Sequence, residues 1–242
     1  MRTLILTVVL LSLIPFSLYA SARPNSGGLA ERVAELEAQV EEFSAILQFV
    51  YVETEEINGL AGPHWIIEGA NVHVRSGSGL TSDDCSASAP NFPVCESLTG
   101  LGNLVVGYNG ELPFRSHGDA IEIRTGSHNL ILGDENSYSS YAGLVAGVAN
   151  RVYSPYASVC GGTSNEASGL GSSVCGGQGN VASGRRSSVS GGAGNVASAH
   201  RSSVSGGQLN VASGESSSVS GGDGREAPDD FNWAAGNLLE PN

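Results

Sequence analysis

One residue pattern governs the second half of this chain. Val159, Val174, Val189, Val204 and Val219 recur every fifteen residues, as do Asn165, Asn180, Asn195 and Asn210, and Ala167, Ala182, Ala197, Ala212 and Ala227. The unit reads SSVSGGxxNVASGxx. A fixed short period marks a solenoid, in which each repeat buries its apolar face only against its neighbours. Glycine every few residues disfavours helix, so each unit is predicted to form two short strands joined by two tight corners. Looser copies run upstream, as NLVVG at Asn103–Gly107, NLILG at Asn129–Gly133 and GLVAG at Gly143–Gly147. An insertion between the first two, Tyr108–His128, is expected to project as a loop.

Alternate residues of a strand share a face, so one informative position sets the inside and the outside. Between the repeating Asn and Ala stand Glu166, Val181, Val196, Val211 and Glu226, and a position that accepts Glu faces water. The expected core is therefore Leu104, Leu130, Leu144, Val159, Val174, Val189, Val204 and Val219 on one strand, with Ala167, Ala182, Ala197 and Ala212 on the other. Val181, Val196 and Val211 form an outward stripe. One Val and one Ala buried per rung fall well short of the entropy lost in ordering fifteen residues. Companion chains packed along the Val stripe are the expected remedy. Composition agrees, since 6% aromatic residues beside 34 Gly suit close backbone packing better than bulky interdigitation.

The first sixty residues follow other rules. Arg2, an apolar run from Leu4 to Leu18 and the small residues Ala20-Ser21-Ala22 read as a secretory signal peptide over 1–22. The run is too short to span a bilayer, and no later stretch could. Next, Leu29, Val33, Leu36, Val40, Phe43, Leu47, Val50 and Ile57 fall at alternating steps of four and three, with Thr54 in the one polar slot. This is a heptad seam, predicting a coiled-coil helix over 29–58 that meets copies of itself. Its other faces carry eight Glu against the single base Arg32. Gly59, Gly62 and Pro63 stop it, and an extended strand is expected over 63–75.

Cysteine usage fits an oxidising compartment. Cys85 and Cys95 lie in a Ser, Gly, Asp and Pro rich loop over 76–99 and are expected to close a small disulfide loop. Cys160 and Cys175 occupy one position of adjacent rungs, where later copies carry Ser190, Ser205 and Ser220. A bridge between rungs, two free thiols and bridges between chains all fit that spacing.

The repeat resembles the head domain of trimeric autotransporter adhesins. In that family a fourteen-residue rung reads roughly S-V-A-I-G-x-x-S-x-A-x-G-x-x, and Ser188-Val189-Ser190-Gly191-Gly192-Ala193-Gly194-Asn195-Val196-Ala197-Ser198 follows the same order, with Gly191 in place of Ile and Asn195 in place of the second Ser. The resemblance covers residues 103–224. It implies a left-handed parallel β-roll, three chains side by side, with one extra residue per rung in the turn before Val. The helix precedes the head instead of following it. Residues 225–242, with Phe231, Trp233 and Leu238, read as an acidic tail or cap where the family carries a membrane anchor. The predicted layout is mainly β, with degenerate rungs over 100–156 and regular rungs over 157–224.

The function classes narrow accordingly. With 24 acids against 11 bases the formal charge is −13, which opposes nucleic-acid binding. The GxG at Gly192–Gly194 recurs only because the unit recurs, and no helix follows it to receive a phosphate. No G-x-S-x-G elbow occurs, and neither a cofactor nor a metal is expected. The expectation is a secreted or cell-surface structural or adhesive spike, most simply a homotrimer, binding a matrix, a glycan or another surface. Its recognition surfaces would be the Tyr-rich stretch Tyr138–Tyr156 and the loop Tyr108–His128, while Arg185, Arg186 and Arg201 at stacked corners beside Glu215 read first as a solvated edge and otherwise as a contact for an anionic glycan. The alternative is a solenoid that binds ice or another crystal surface, although the usual Thr ladder is missing.

Overall fold

The computed structural model describes residues 28–83, 98–110 and 123–236, which fall into two units, 1–72 and 73–242. The signal-peptide segment, Cys85, Cys95, Leu238 and most of the expected projecting loop lie outside the described residues.

In the first unit a helix, α1, spans Leu29–Leu47. Leu29, Val33, Leu36 and Val40 are exposed along it, while Phe43 and Leu47 are half-buried. The helix stops well short of residue 58. Val50–Glu53 instead forms a strand, β1, paired antiparallel with β2, His64–Ile67, in the register Val50↔Ile67 to Glu53↔His64. Val50 and Ile57 therefore leave the helical seam, and Ile57 makes an isolated bridge to Leu60. The reason is local: Val50-Tyr51-Val52 is β-branched and aromatic, a run that packs better on a pleated surface than on a helix, and Trp65-Ile66-Ile67 supplies an equally β-prone partner. The strand expected over 63–75 is confined to His64–Ile67.

The second unit is a parallel β-solenoid. Nine strands from Leu104–Val106 to Trp233–Ala234 form one sheet and seven from Ser137–Tyr138 to Glu226–Ala227 the other. In the regular part each strand is only two residues long, and every pairing is parallel and in register, as in Val174↔Val189 and Ala182↔Ala197. A third line of parallel bridges joins Val148, Thr163, Gln178, Ala193, Gln208 and Asp223. The core between the sheets is one file of Val159, Val174, Val189, Val204 and Val219 and another of Ala167, Ala182, Ala197, Ala212 and Ala227, each at most 1% exposed. Val181, Val196 and Val211 point away from the core and are half-buried among their own neighbours.

Leu104, Leu130 and Leu144 are not in that core. Leu144 stands in register with Ser158, and Val145 with Val159, so the inward residues are Ile131 and Val145, 0% and 1% exposed. Leu130 and Leu144 are half-buried on the outer side. Leu104, on the first strand, is 50% exposed. The insertion also returns to the fold earlier than expected: Tyr138 N–H donates to the Ile123 carbonyl at 2.7 Å, and Arg124 bridges Tyr138 in parallel. At the other end the acidic segment is no tail as far as Gly236. Glu226–Ala227 and Trp233–Ala234 continue both sheets, and Trp233 Nε1 donates to Ser220 Oγ at 2.8 Å.

A polar file completes the interior. Asn136, Asn150, Asn165, Asn180, Asn195 and Asn210 are fully buried, and each amide is spent in a fixed way. Asn180 Oδ1 accepts from Asn195 N–H at 2.9 Å, and its Nδ2 donates to the carbonyls of Gly176 and Gly192, both at 2.9 Å. The ladder thereby ties each corner to its own rung and to the next. Glycines make room for it: a Cβ on Gly192 would lie 2.1 Å from the Gly207 carbonyl oxygen, and its φ of +87° suits glycine alone.

The ladder also records a change of period. Asn150 N–H donates to Asn136 Oδ1 across fourteen residues, whereas Asn165 N–H donates to Asn150 Oδ1 across fifteen. Val145-Ala146-Gly147 becomes Val159-Cys160-Gly161-Gly162, with Val148 bridged to Thr163. The extra residue thus enters the chain after the core Val, not in the turn before it, and it does so first beside Cys160.

Candidate functional site

The repeat turns outward chemistry into columns. On the longer sheet, residues flanking each buried Val project on the same side, so Ser188 and Ser190, Ser203 and Ser205, and Ser218 and Ser220 form two ranks of hydroxyls, with the second rank exposed. Rungs repeat at about 4.8 Å and alternate residues at about 6.6 Å, so the face is a regular grid of small polar groups. On the shorter sheet the outward positions alternate between the half-buried stripe of Val181, Val196 and Val211 and the exposed Ser183, Ser198 and Ser213.

The corners are charged. Arg186 and Arg201 occupy one column, both with left-handed backbone at φ of 58° and 59°. Arg201 N–H donates to the Arg185 carbonyl and Ser216 N–H to that of His200, so Arg185, His200 and Glu215 lie in a second column. There His200 Nδ1 meets Glu215 Oε1 at 3.1 Å. The three arginines are exposed, but one corner already pairs a base with an acid.

The Tyr-rich stretch divides between inside and outside. Tyr138 and Tyr141 are buried, and Tyr141 meets Tyr156 edge to face at a centroid distance of 5.4 Å. Burial raises the pKa of Tyr138, Tyr141 and Tyr153 above the usual phenol value. Only Tyr156, 58% exposed, offers a full aromatic face to a partner. Of the expected loop Tyr108–His128, Tyr108 is exposed while Asn109 is buried and exchanges hydrogen bonds with Asn136 at 2.8 and 3.1 Å.

One titratable cluster escapes pattern reading altogether. Asp83 is 3% exposed. Its Oδ1 accepts from Ser76 Oγ at 2.5 Å and Ser78 Oγ at 2.6 Å, and its Oδ2 from Thr99 N–H at 3.0 Å and Thr99 Oγ1 at 2.7 Å. Burial disfavours its charge, but hydrogen bonds from Ser127, Ser76, Ser78 and Thr99 outweigh that and hold the carboxyl far below the usual carboxylate range. His128 stands beside it, with Nδ1 4.0 Å from Oδ1 and 2.9 Å from the Thr81 carbonyl. Its Nε2 accepts the Ser76 N–H at 3.1 Å, so in the neutral ring the proton sits on Nδ1. The hydroxyls are committed to the carboxylate and the basic nitrogen to a backbone amide. The cluster fastens the chain at the start of the solenoid and leaves no group poised for proton transfer.

Cys160 and Cys175 are free and exposed. Among the described residues no group of three or more His, Cys, Asp and Glu could hold a metal ion, and no helix is long and apolar enough to cross a membrane. No protein family, curated protein or solved structure matches the chain.

Proposed function

We propose that this chain is a secreted or cell-surface structural and adhesive protein, acting as a homotrimer in the manner of the autotransporter-adhesin heads it resembles. The observation that carries the reading is the apolar stripe of α1. Leu29, Leu36 and Val40 are 80%, 58% and 63% exposed at coiled-coil spacing, and such a stripe is stable in water only when covered. Two further copies of the same stripe supply the cover. The parallel solenoid supports the reading because its grid of small groups presents a regular, repeated surface suited to a repetitive partner such as a matrix or glycan. The test is the mass of the full chain in solution at physiological salt. A trimer is expected, and Leu36→Glu with Val40→Glu reduces it to a monomer whose β-sheet circular dichroism is unchanged. A monomeric wild-type chain overturns the proposal.

A second reading rests on the two ranks of serine hydroxyls, which could match a crystal lattice, ice included. Thermal hysteresis in the purified protein, abolished by Ser190→Leu with Ser205→Leu, is its signature. Its absence removes that reading without touching the first.

A further inference from the structure

Two thiols stand alone among the repeated hydroxyls. Ser173↔Ser158 and Val174↔Val159 are in register on neighbouring strands, and the register continues through the next residue, where Cys160 N–H donates to the Val174 carbonyl at 2.9 Å and Cys175 N–H to the Val189 carbonyl at 3.0 Å. Both valines point into the core, so the cysteines that follow them point out, on one face and one rung apart. Both are exposed. The Cys160 thiol is held above its ordinary pKa, by burial first and then by Cys175 beside it.

From this placement we infer that Cys160 and Cys175 are a reversible dithiol–disulfide pair that latches one rung to the next. Neighbouring parallel strands lie about 4.8 Å apart, inside the Cα range of about 4.4–6.8 Å that disulfides span. In-register Cβ atoms are related by the same translation, so they too sit about 4.8 Å apart, slightly beyond the usual limit of about 4.5 Å. Closing the bond requires a small local pull. A bond closed under tension is more easily reduced than a relaxed structural disulfide, which makes this pair a responsive latch rather than a permanent staple.

The oxidant is an exposed low-molecular-weight disulfide. One thiolate attacks a sulfur of that disulfide, forming a mixed disulfide and expelling one thiolate. The neighbouring protein thiolate then attacks the protein sulfur of the mixed disulfide and expels the second. Two protein thiols lose two protons and two electrons, and one small disulfide becomes two thiols. Cys160 lies beside the extra residue by which the rung lengthens from fourteen to fifteen, and the pair ties the first two rungs of the regular array. The inference does not depend on what the chain binds.

The test uses the full chain, reduced, freed of reductant and equilibrated with oxidised and reduced glutathione. Cleavage after Arg151 and Arg185 releases both cysteines on one peptide. That peptide is expected lighter by two hydrogens, refractory to alkylation and restored by a dithiol reductant, while the intact protein keeps its single-chain mass under denaturing conditions. The oxidised protein is expected to unfold a few degrees higher than the reduced one. Cys160→Ser, which copies the Ser190 of a later rung, should instead carry one glutathione on Cys175. Two glutathiones on the wild-type peptide, two alkyl groups after oxidation, or a peptide linked to its counterpart from another chain overturns the inference.

Discussion

The side chain that does most for this solenoid is asparagine. Each Asn of the ladder joins three backbone groups of two rungs, and removing one amide leaves those groups without partners in a dry interior. Asn180→Ala strands the carbonyls of Gly176 and Gly192 and the N–H of Asn195, and is expected to destabilise the array by about 2–4 kcal/mol, read as a lower urea midpoint. Asp83 makes a second prediction. Its folded pKa lies below the unfolded value, so its stabilisation is complete above about pH 4 to 5 and is lost as pH falls through the ordinary carboxylate range of about 3.9 towards the depressed folded value. The protection of amides in residues 76–83 and 123–128, taken against the intrinsic exchange rate at each pH, should fall over that window while that of the regular rungs is kept. In Asp83→Asn the protection of the same segment should be low at every pH and independent of it.

Among the elements, the rung is the unit of construction, and its boundaries explain which expectations held. The fifteen-residue period marked the Val file directly, because in SSVSGG one apolar residue stands between polar ones, whereas in NVASG the Ala file was fixed only by Glu166 and Glu226 in the neighbouring column. Upstream, LILG and LVAG offer three apolar residues in succession, so alternation alone does not say which faces inward, and only pairing with Ser158 and Val159 places Ile131 and Val145 inside. In the C-terminal rung, Asn232-Trp233-Ala234-Ala235-Gly236 occupies the places of Ser217-Ser218-Val219-Ser220-Gly221, a match hidden by the acids before it. The asparagine column was visible, but its role was not, since the carbonyls it serves come from neighbouring rungs. Helical spacing likewise persisted past Leu47 although Val50-Tyr51-Val52 belongs to a hairpin. Modularity can be tested. Deleting residues 187–201 joins Arg186 to Ser202, and because Arg186 and Arg201 share one backbone conformation, the shortened chain should keep its β-sheet circular dichroism with a modestly lower melting temperature. Deleting 188–201 instead leaves one residue too many in that corner, and should cost cooperativity.

For the molecule as a whole, repetition concentrates information in a few columns and leaves much of the surface free to vary. The Asp83 cluster had no periodic signature, because it joins residues from three separate segments, and it became visible only with the chain folded. It also gives the solenoid a distinct beginning, built from residues 76–83, 99 and 127–128 outside the repeat.

Because consecutive units are near-copies of one another, the coding sequence beneath them is prone to misalignment during replication and recombination. Each such event that gains or drops one whole unit keeps the reading frame and, by the register of the asparagines, the interior as well. Inheritance can therefore adjust the reach of this protein in steps of one stack, so variants differing in length by multiples of the repeat should be found functional where point changes to its buried amides are not.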